Sequence, residues 1–234
     1  MLLVMDVGNT NITMGLYRES ELLAKFRMTT KQPRTSDEYG IAIREMIRNQ
    51  GENPEEVDDI IIASVVPDIM HSLGSAMIKY FGIKPIVVSA GIKTGLNIRM
   101  DNPASLGSDL VVNAVAGLQE YKPPMLIFDM GTATTVSVID ENRCYQGGMI
   151  YPGIGVSLDS LTARAAQLSG ISLEVPEHLI GKNTIECMKS GIIYSSAAAI
   201  DGIIDRMKEE LGSEVTVIAT GGLARKIVPH CRRD

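Results

Sequence analysis

Two stretches of the chain share one plan, and this repeat constrains the fold more than any other feature. The first reads LVMDVGNTNIT from Leu3 to Thr13, and the second reads MLIFDMGTATT from Met125 to Thr135. In each, an apolar run is followed by an Asp, then a Gly two residues later, then polar residues that lead into a second β-prone run. Each copy predicts a strand, a tight turn and a returning strand. The duplication indicates two lobes, which we expect at residues 1–118 and 119–234.

The two predicted turns suit a polyphosphate ligand. Backbone N–H groups and hydroxyls bind phosphate oxygens, and carboxylates hold the metal ion that accompanies them. A single Asp-x-Gly after a strand is more often an ordinary hairpin turn than a nucleotide site. Two copies at domain-scale separation favour the nucleotide interpretation. We therefore expect a two-lobed phosphotransferase whose acidic turns face each other.

Composition excludes several other classes of protein. The 234 residues can bury a large core, and the contents of 45% hydrophobic and 21% charged residues are typical of a soluble globular protein. The net charge of −6 argues against a nucleic-acid binder held by phosphate contacts. The three cysteines, Cys144, Cys187 and Cys231, have neither zinc nor disulfide spacing, which predicts a reduced, cytoplasmic protein. No segment approaches the roughly 20 apolar residues of a membrane-spanning helix.

Residue periodicity predicts a mixture of strands and helices in both halves. The first half is expected to hold strands at 2–6, 12–17, 22–27, 59–66 and 85–88 and helices at 35–49 and 69–81. The second half is expected to hold strands at 125–128, 135–139, 144–150 and 215–219, with helices at 109–121 and 156–169 and one or two helices within 184–211. The fold class predicted from this order is α/β.

Asp109 is the candidate general base. It follows Gly107 at the predicted start of a helix, where the helix dipole keeps a carboxylate ionised and able to accept a proton. The alternative is an Asp that only stabilises the first turn of its helix, and local sequence alone favours that alternative. A further candidate is Thr220–Gly222, where bare backbone after a strand would let an adenosine lie flat, although a plain strand-to-helix turn has the same sequence.

The motifs together resemble type III pantothenate kinase, within the superfamily of acetate and sugar kinases, heat-shock chaperones and actin. The resemblance runs from the first residue to about Ala224, and the motifs stand in the order of the family. They are Asp6–Thr10 (DVGNT), Asn102-Pro103 with Gly107–Asp109 (GSD), Asp129–Thr135 (DMGTATT), Gly147–Gly153 (GGMIYPG), Gly181–Thr184 (GKNT) and Thr220–Gly222 (TGG). Singly none of them is specific.

The resemblance implies a fold, a reaction and a set of site residues. The implied fold is a duplicated ribonuclease H-like, actin-like ATPase lobe, each lobe a mixed five-stranded sheet with flanking helices. The implied reaction is phosphorylation of pantothenate by ATP to 4′-phosphopantothenate, the first step of coenzyme A synthesis, in a homodimer with Mg²⁺ and K⁺ or NH₄⁺. The implied base is Asp109, with a monovalent cation at Asp129 and Mg²⁺ at Asp6. The implied ATP-binding residues are Asp6, Val7, Gly8, Asn9, Thr10, Asn11, Ile12, Thr13, Thr132, Gly221 and Gly222, and the implied pantothenate-binding residues are Met100, Gly107, Ser108, Asp109, Leu110 and Thr184.

Two positions depart from the pattern of the family on the pantothenate side. Leu110 stands where family members usually carry an Arg, and Leu cannot supply the fixed fork of donors that an Arg presents to a carboxylate. Met100 stands where the family commonly has a Tyr. A second hypothesis is therefore an ATP-binding homologue that has lost or changed its acceptor and serves as a regulator or a partner-binding subunit. An ATPase of the chaperone or actin type is less consistent with so short a chain.

Overall fold

The computed structural model describes residues 1–89, 92–164 and 171–232, and the chain divides into two compact units. The first comprises Met1–Thr94 and Asn102–Val112, and the second comprises Gly95–Asp101 and Asn113–Asp234. Each unit contains one five-stranded sheet.

The sheet of the first unit is mixed. Its strands are β1 (Leu2–Val7), β2 (Asn11–Arg18), β3 (Glu21–Thr29), β4 (Asp59–Ser64) and β5 (Ile86–Val87). They lie in the order β3-β2-β1-β4-β5, with the first three antiparallel and with β4 parallel to both β1 and β5. The central strand β1 therefore ends between two neighbours, and its last residues are positioned by hydrogen bonds on both sides.

The core of the first unit is formed by one face of this sheet and two helices, α1 (Ser36–Asn49) and α2 (Pro67–Phe81). Thr35 and Glu38 form a capping box at the start of α1, satisfying backbone N–H groups that the helix itself leaves unpaired. The helices approach closely because Gly40 leaves room for the Tyr80 ring, which a Cβ at that position would overlap. Short 3₁₀ turns lie at Pro54–Glu56 and Pro103–Ser105.

The sheet of the second unit repeats the mixed plan. Its strands are β6 (Asn97–Ile98), β7 (Met125–Met130), β8 (Ala133–Ile139), β9 (Cys144–Pro152) and β10 (Thr216–Thr220). They lie in the order β10-β7-β8-β9-β6, with β7, β8 and β9 antiparallel and with β10 parallel to β7. Strand β7 thus has the same neighbours by type as β1: an antiparallel hairpin partner and a parallel strand from later in the chain.

The remaining helices are α3 (Ser108–Glu120), α4 (Ile154–Arg164), α5 (Thr184–Leu211) and the single turn α6 (Ala224–Ile227), which a 3₁₀ turn at Val228–His230 follows. One face of β7 packs on α5 through Leu126, Phe128 and Met130, against Ile193, Ala197, Ile200 and Ile204. No helix in the described part of the chain is long and apolar enough to cross a membrane.

The predicted fold class is confirmed, since each unit holds a mixed five-stranded sheet with helices beside it. The segment 184–211 is one 28-residue helix. The short strand β6 was not predicted. Of the helix predicted at 156–169, residues 165–169 lie outside the described residues. The division of the chain at residue 118 stays a prediction.

Candidate active site

The first acidic turn lies between β1 and β2. Asp6 is exposed at the end of β1, opposite Thr13 of β2 and beside Ala63 of β4. The Gly8 N–H donates to the Asn11 carbonyl over 3.0 Å, which closes the turn. Val7 and Ile12 flank this turn with side chains fully buried in the core, so these two residues offer a ligand only their backbone.

Thr30 fixes the backbone of this turn through two hydrogen bonds. Its hydroxyl donates to the Gly8 carbonyl over 2.8 Å, and its N–H donates to the Thr10 carbonyl over 3.0 Å. Thr30 is only 7% exposed, so both bonds are shielded from water. Thr30 was not predicted as a site residue, because nothing in its local sequence indicates that its side chain reaches the turn at Gly8.

The second acidic turn repeats this geometry between β7 and β8. Asp129 lies opposite Thr135 of β8 and beside Thr220 of β10, and the Gly131 N–H donates to the Ala133 carbonyl over 3.1 Å. This turn is one residue shorter than the first, in which Gly8 pairs with Asn11. Thr132 is exposed on the turn.

Asn113 of α3 orients the Asp129 carboxylate. Its side-chain amide nitrogen Nδ2 donates to Asp129 Oδ2 over 2.8 Å. One helical turn later, Gly117 allows α3 to lie directly on the sheet, because a Cβ there would come 3.0 Å from Ile127 Cδ1. Asn113 was not predicted as a site residue, although its spacing of four residues places it on the same helix face as Asp109.

Two glycines allow other segments of the second unit to approach this turn closely. Gly221 has φ +92°, and a Cβ there would lie 2.5 Å from the Met130 nitrogen and 2.6 Å from Asp129 Oδ1. A Cβ on Gly153 would overlap the carbonyl oxygens of Gly131 and Thr132. The predicted motifs at 129–135, 147–153 and 220–222 therefore meet in one place within the second unit.

Next to Asp129, the Thr135 hydroxyl is buried without a hydrogen-bond partner. Side chains of opposed residues in an antiparallel pair lie on the same face about 5 Å apart, so this oxygen is on the side of the sheet that carries the carboxylate. A carboxylate and a hydroxyl oxygen are ligands that fit a hard cation. The described residues contain no cluster of three or more His, Cys, Asp or Glu side chains that could hold a metal ion.

In the motif at residues 147–153, burial raises the pKa of the Tyr151 hydroxyl, while a side-chain hydrogen bond with Thr134 opposes the shift. Thr134 lies directly opposite Tyr151 on the neighbouring strand. Tyr151 is neutral at physiological pH even at the ordinary pKa of a Tyr, about 10. The pair therefore adds hydrogen-bonding groups but no charge beside the second turn.

Asp109 lies in the first turn of α3, in the first unit. Its Oδ1 accepts from the Leu110 N–H over 2.9 Å. The carboxylate lies over Gly107, where a Cβ would overlap Oδ1, so only glycine leaves the side chain in this position. Ser108 is buried, and its hydroxyl bonds to the backbone of Ser64.

The other predicted pantothenate-binding residues are divided between the units. Leu110 is half-buried in the first unit, beside Asp109. Met100 is half-buried in the second unit, just after β6, and Thr184 is exposed as the first residue of α5. Thr184 follows Asn183, whose side chain caps α5 by accepting the Glu186 N–H over 2.9 Å.

A cavity of about 380 Å³ opens on the first unit, and its lining includes Asp6, Tyr17, Lys25 and Val112. Neither the Gly8–Asn11 turn nor Asp109 lines it, and most of its surface is apolar. We therefore assign neither phosphate nor the reacting hydroxyl to this cavity.

Comparison with known proteins identifies the family. A model described as type III pantothenate kinase matches residues 2–206. A curated type III pantothenate kinase from an Exiguobacterium species is 48% identical over 230 residues, which are 98% of this chain and 90% of the relative. The chain belongs to the type III pantothenate kinase family. The matched range includes both acidic turns, Asp109 and Thr184.

Solved structures share the fold of this family member at low sequence identity. A protein described as a Baf family transcriptional activator, from Campylobacter jejuni, has a TM-score of 0.60 and 16% identity, over 99% of this chain and 88% of that one. The activator of 2-hydroxyisocaproyl-CoA dehydratase from Clostridium difficile, solved with bound ADPNP, has a TM-score of 0.55 and 12% identity, over 96% and 81%. Component A of (R)-2-hydroxyglutaryl-CoA dehydratase from Acidaminococcus fermentans has a TM-score of 0.54 and 15% identity, over 96% and 83%.

Proposed function

We propose that this protein transfers the γ-phosphoryl group of ATP to the primary hydroxyl of pantothenate. The products are 4′-phosphopantothenate and ADP, and the reaction is the first step of coenzyme A synthesis. The observation that carries the proposal is the 48% identity with a curated type III pantothenate kinase over nearly the full length of both chains. The local geometry of Asp109 and of the two acidic turns supports it.

In this proposal Asp109 is the general base. The hydroxyl oxygen of pantothenate attacks the γ-phosphorus, the bond to the bridging oxygen of ADP breaks, and the hydroxyl proton passes to the Asp109 carboxylate. Because Oδ1 already accepts the Leu110 N–H, Oδ2 is the oxygen available for the proton. Gly107 leaves the space that this carboxylate occupies.

The acidic turns bind the nucleotide in this proposal. The Asp6–Thr13 turn and Thr132 donate hydrogen bonds to the ATP phosphates, and Gly221 and Gly222 lie against the adenosine. Mg²⁺ bound near Asp6 would neutralise phosphate charge during transfer. Asp129 and Thr135 would hold K⁺ or NH₄⁺, a role supported by the buried Thr135 hydroxyl that lacks a protein partner.

We further propose a cytoplasmic homodimer. In support, large apolar side chains are exposed on the second unit, as they are on surfaces that bind another protein. They include Ile150 at 74%, Leu179 at 61% and Ile180 at 80% exposed.

The test is turnover with ATP, Mg²⁺, K⁺ and pantothenate. The wild-type protein should release ADP only when pantothenate is present. Asp109→Asn should lower kcat by about 100-fold or more, the range general bases contribute, while ATP binding measured by calorimetry persists. Asp68→Asn is the matched control, because Asp68 is a first-turn Asp of α2, and it should leave kcat unchanged. ATP binding without pantothenate-dependent ADP release would refute the proposed reaction.

A further inference from the structure

The Ser108 side chain makes two hydrogen bonds with the backbone of one distant residue. Its hydroxyl accepts the Ser64 N–H over 2.9 Å and donates to the Ser64 carbonyl over 2.9 Å. Ser108 is 9% exposed, and 44 residues separate the two positions. One small side chain therefore joins the start of α3 to the end of β4.

The end of β4 is in turn fixed to the strand that carries the first acidic turn. Ser64 lies beside Val7 in the parallel pairing of β4 with β1, and the Val65 N–H donates to the Val7 carbonyl over 3.0 Å. Val7 lies between Asp6 and Gly8 in the chain. The Ser108 hydroxyl thus donates to the carbonyl of the Ser64–Val65 peptide, and the N–H of the same peptide donates to Val7, next to the turn.

The segment that precedes α3 lies at the surface. Residues 101–105 are all exposed, and the hydroxyl of Ser105 donates within its own turn, to the Asn102 carbonyl over 2.7 Å. Between that segment and Ser108, the side chain of Leu106 is largely buried. Asp109 follows Ser108 directly, and its carboxylate is bonded to the adjacent Leu110 N–H. The carboxylate therefore moves with the first turn of the helix.

We propose that Ser108 is a positioning residue that fixes the Asp109 carboxylate relative to the Asp6–Gly8 turn. The inference rests on the proposed function, in which Asp109 accepts the hydroxyl proton and the turn binds phosphate. It assigns the Ser108 hydroxyl to the protein backbone and not to pantothenate. A general base displaced by about 1 Å can lose on the order of 100-fold in rate, so an anchor of this kind acts on kcat.

The experiment compares Ser108→Ala, Ser108→Thr and Ser105→Ala in the full-length protein. Ser108→Ala should lower kcat by about 10- to 100-fold, with the KM for pantothenate and the dissociation constant of ATP within about twofold of wild type. Ser108→Thr retains the hydroxyl and should recover most of the rate. Ser105→Ala, which removes a hydroxyl from the same segment, should match wild type.

A second measurement does not depend on activity. The Ser64 amide donates directly to Ser108, so its hydrogen exchange measured by NMR should accelerate in Ser108→Ala and not in Ser105→Ala. Unchanged Ser64 exchange together with wild-type kcat would overturn the inference. A raised KM for pantothenate at unchanged kcat would overturn it too, because Ser108 would then bind the substrate.

A wild-type protein that binds ATP but does not phosphorylate pantothenate would refute the proposed function instead, and the exchange result would still decide whether Ser108 anchors α3.

Discussion

Asn113 Nδ2 lies 2.8 Å from Asp129 Oδ2, so an amide from helix α3 orients the carboxylate at the next-to-last residue of strand β7. Gly117, one turn farther along α3, packs against Ile127 and Met125 of the same strand. The two contacts fix the helix along the strand and place the amide at its end. Oδ2 of Asp129 therefore accepts a hydrogen bond from the protein, and Oδ1 lies beside Gly221.

Replacing Asn113 by Leu should weaken the proposed cation site. The substitution keeps the size of the side chain but removes the hydrogen bond, which for a charged acceptor is worth about 1.5–3 kcal/mol. We expect the K⁺ concentration for half-maximal activity to rise about tenfold, measured by titration with KCl at constant ionic strength. A half-maximal concentration equal to that of wild type would show that Asn113 does not influence the cation.

Gly221→Ala should destabilise the second unit. At φ +92° a Cβ is strained, and it would also collide with the backbone of Met130. We expect a loss of about 2–4 kcal/mol in the free energy of unfolding, measured with urea. The control is Gly222→Ala, since a Cβ there meets nothing within 4 Å. Equal stability of the two variants would contradict the close approach at Gly221.

Thr135→Val should separate structural from ligand-binding roles of the Thr135 hydroxyl. An unpartnered buried hydroxyl costs about 1–3 kcal/mol, so without K⁺ the variant should be at least as stable as wild type. Bound K⁺ should stabilise the wild-type protein more than the variant, because a ligand that binds only the folded state raises its stability. Thermal unfolding with and without KCl measures both effects. An equal gain from KCl in the two proteins would argue against Thr135 as a ligand.

Leu110→Arg should improve the use of pantothenate. An Arg supplies two parallel N–H donors to a carboxylate, and pantothenate carries a carboxylate. We expect the KM for pantothenate to fall about tenfold, with the KM for ATP unchanged, in steady-state assays. Leu110→Met, which adds no donor, controls for the change in packing. If the Arg variant has the same KM as the Met variant, the Leu has not weakened acceptor binding.

Asp37 should give the first unit a pH-dependent stability. Hydrogen bonds from Lys79 Nζ over 2.5 Å and Tyr80 Oη over 2.7 Å hold the pKa of Asp37 below its ordinary value of 3.8. A lowered pKa in the folded state stabilises the protein above the unfolded pKa, and this contribution is lost as the pH falls through the folded value. Urea unfolding should therefore show Asp37→Asn less stable than wild type at pH 7, with a smaller difference below pH 3.8. A difference that does not change with pH would exclude this ion pair as its cause.

Local sequence correctly predicted the elements whose capping and turn residues lie within a few positions of one another. The helix expected at 35–49 is Ser36–Asn49 with Thr35 as its cap, and both acidic turns are strand–turn–strand units. The two-residue strand β6 was missed because it exists only through its pairing with β9. Helix α5 runs through Gly191 and Gly202, which alone would allow a break, because its buried residues continue on both sides of them.

The site was predictable only in part, for the same reason. Asp6, Asp109 and Asp129 could be found because each has a nearby Gly and a strand or helix boundary beside it. Thr30 and Ser64 could not, because their partners lie 22 and 44 positions away. The spacing of Asn113 from Asp109 placed it on the same helix face but did not indicate its contact with Asp129, 16 positions away.

Helix α3 belongs to both units, with Ser108–Val112 in the first and Asn113–Glu120 in the second. The chain passes between the units at residues 94/95, 101/102 and 112/113. No single cut therefore releases either unit as one continuous polypeptide, and a fragment that ends at residue 118 would take part of the second unit with it. Expression of one unit alone would require joining two separated segments and severing a continuous α-helix. Engineering that exchanges halves between relatives should accordingly keep residues 95–120 from a single parent.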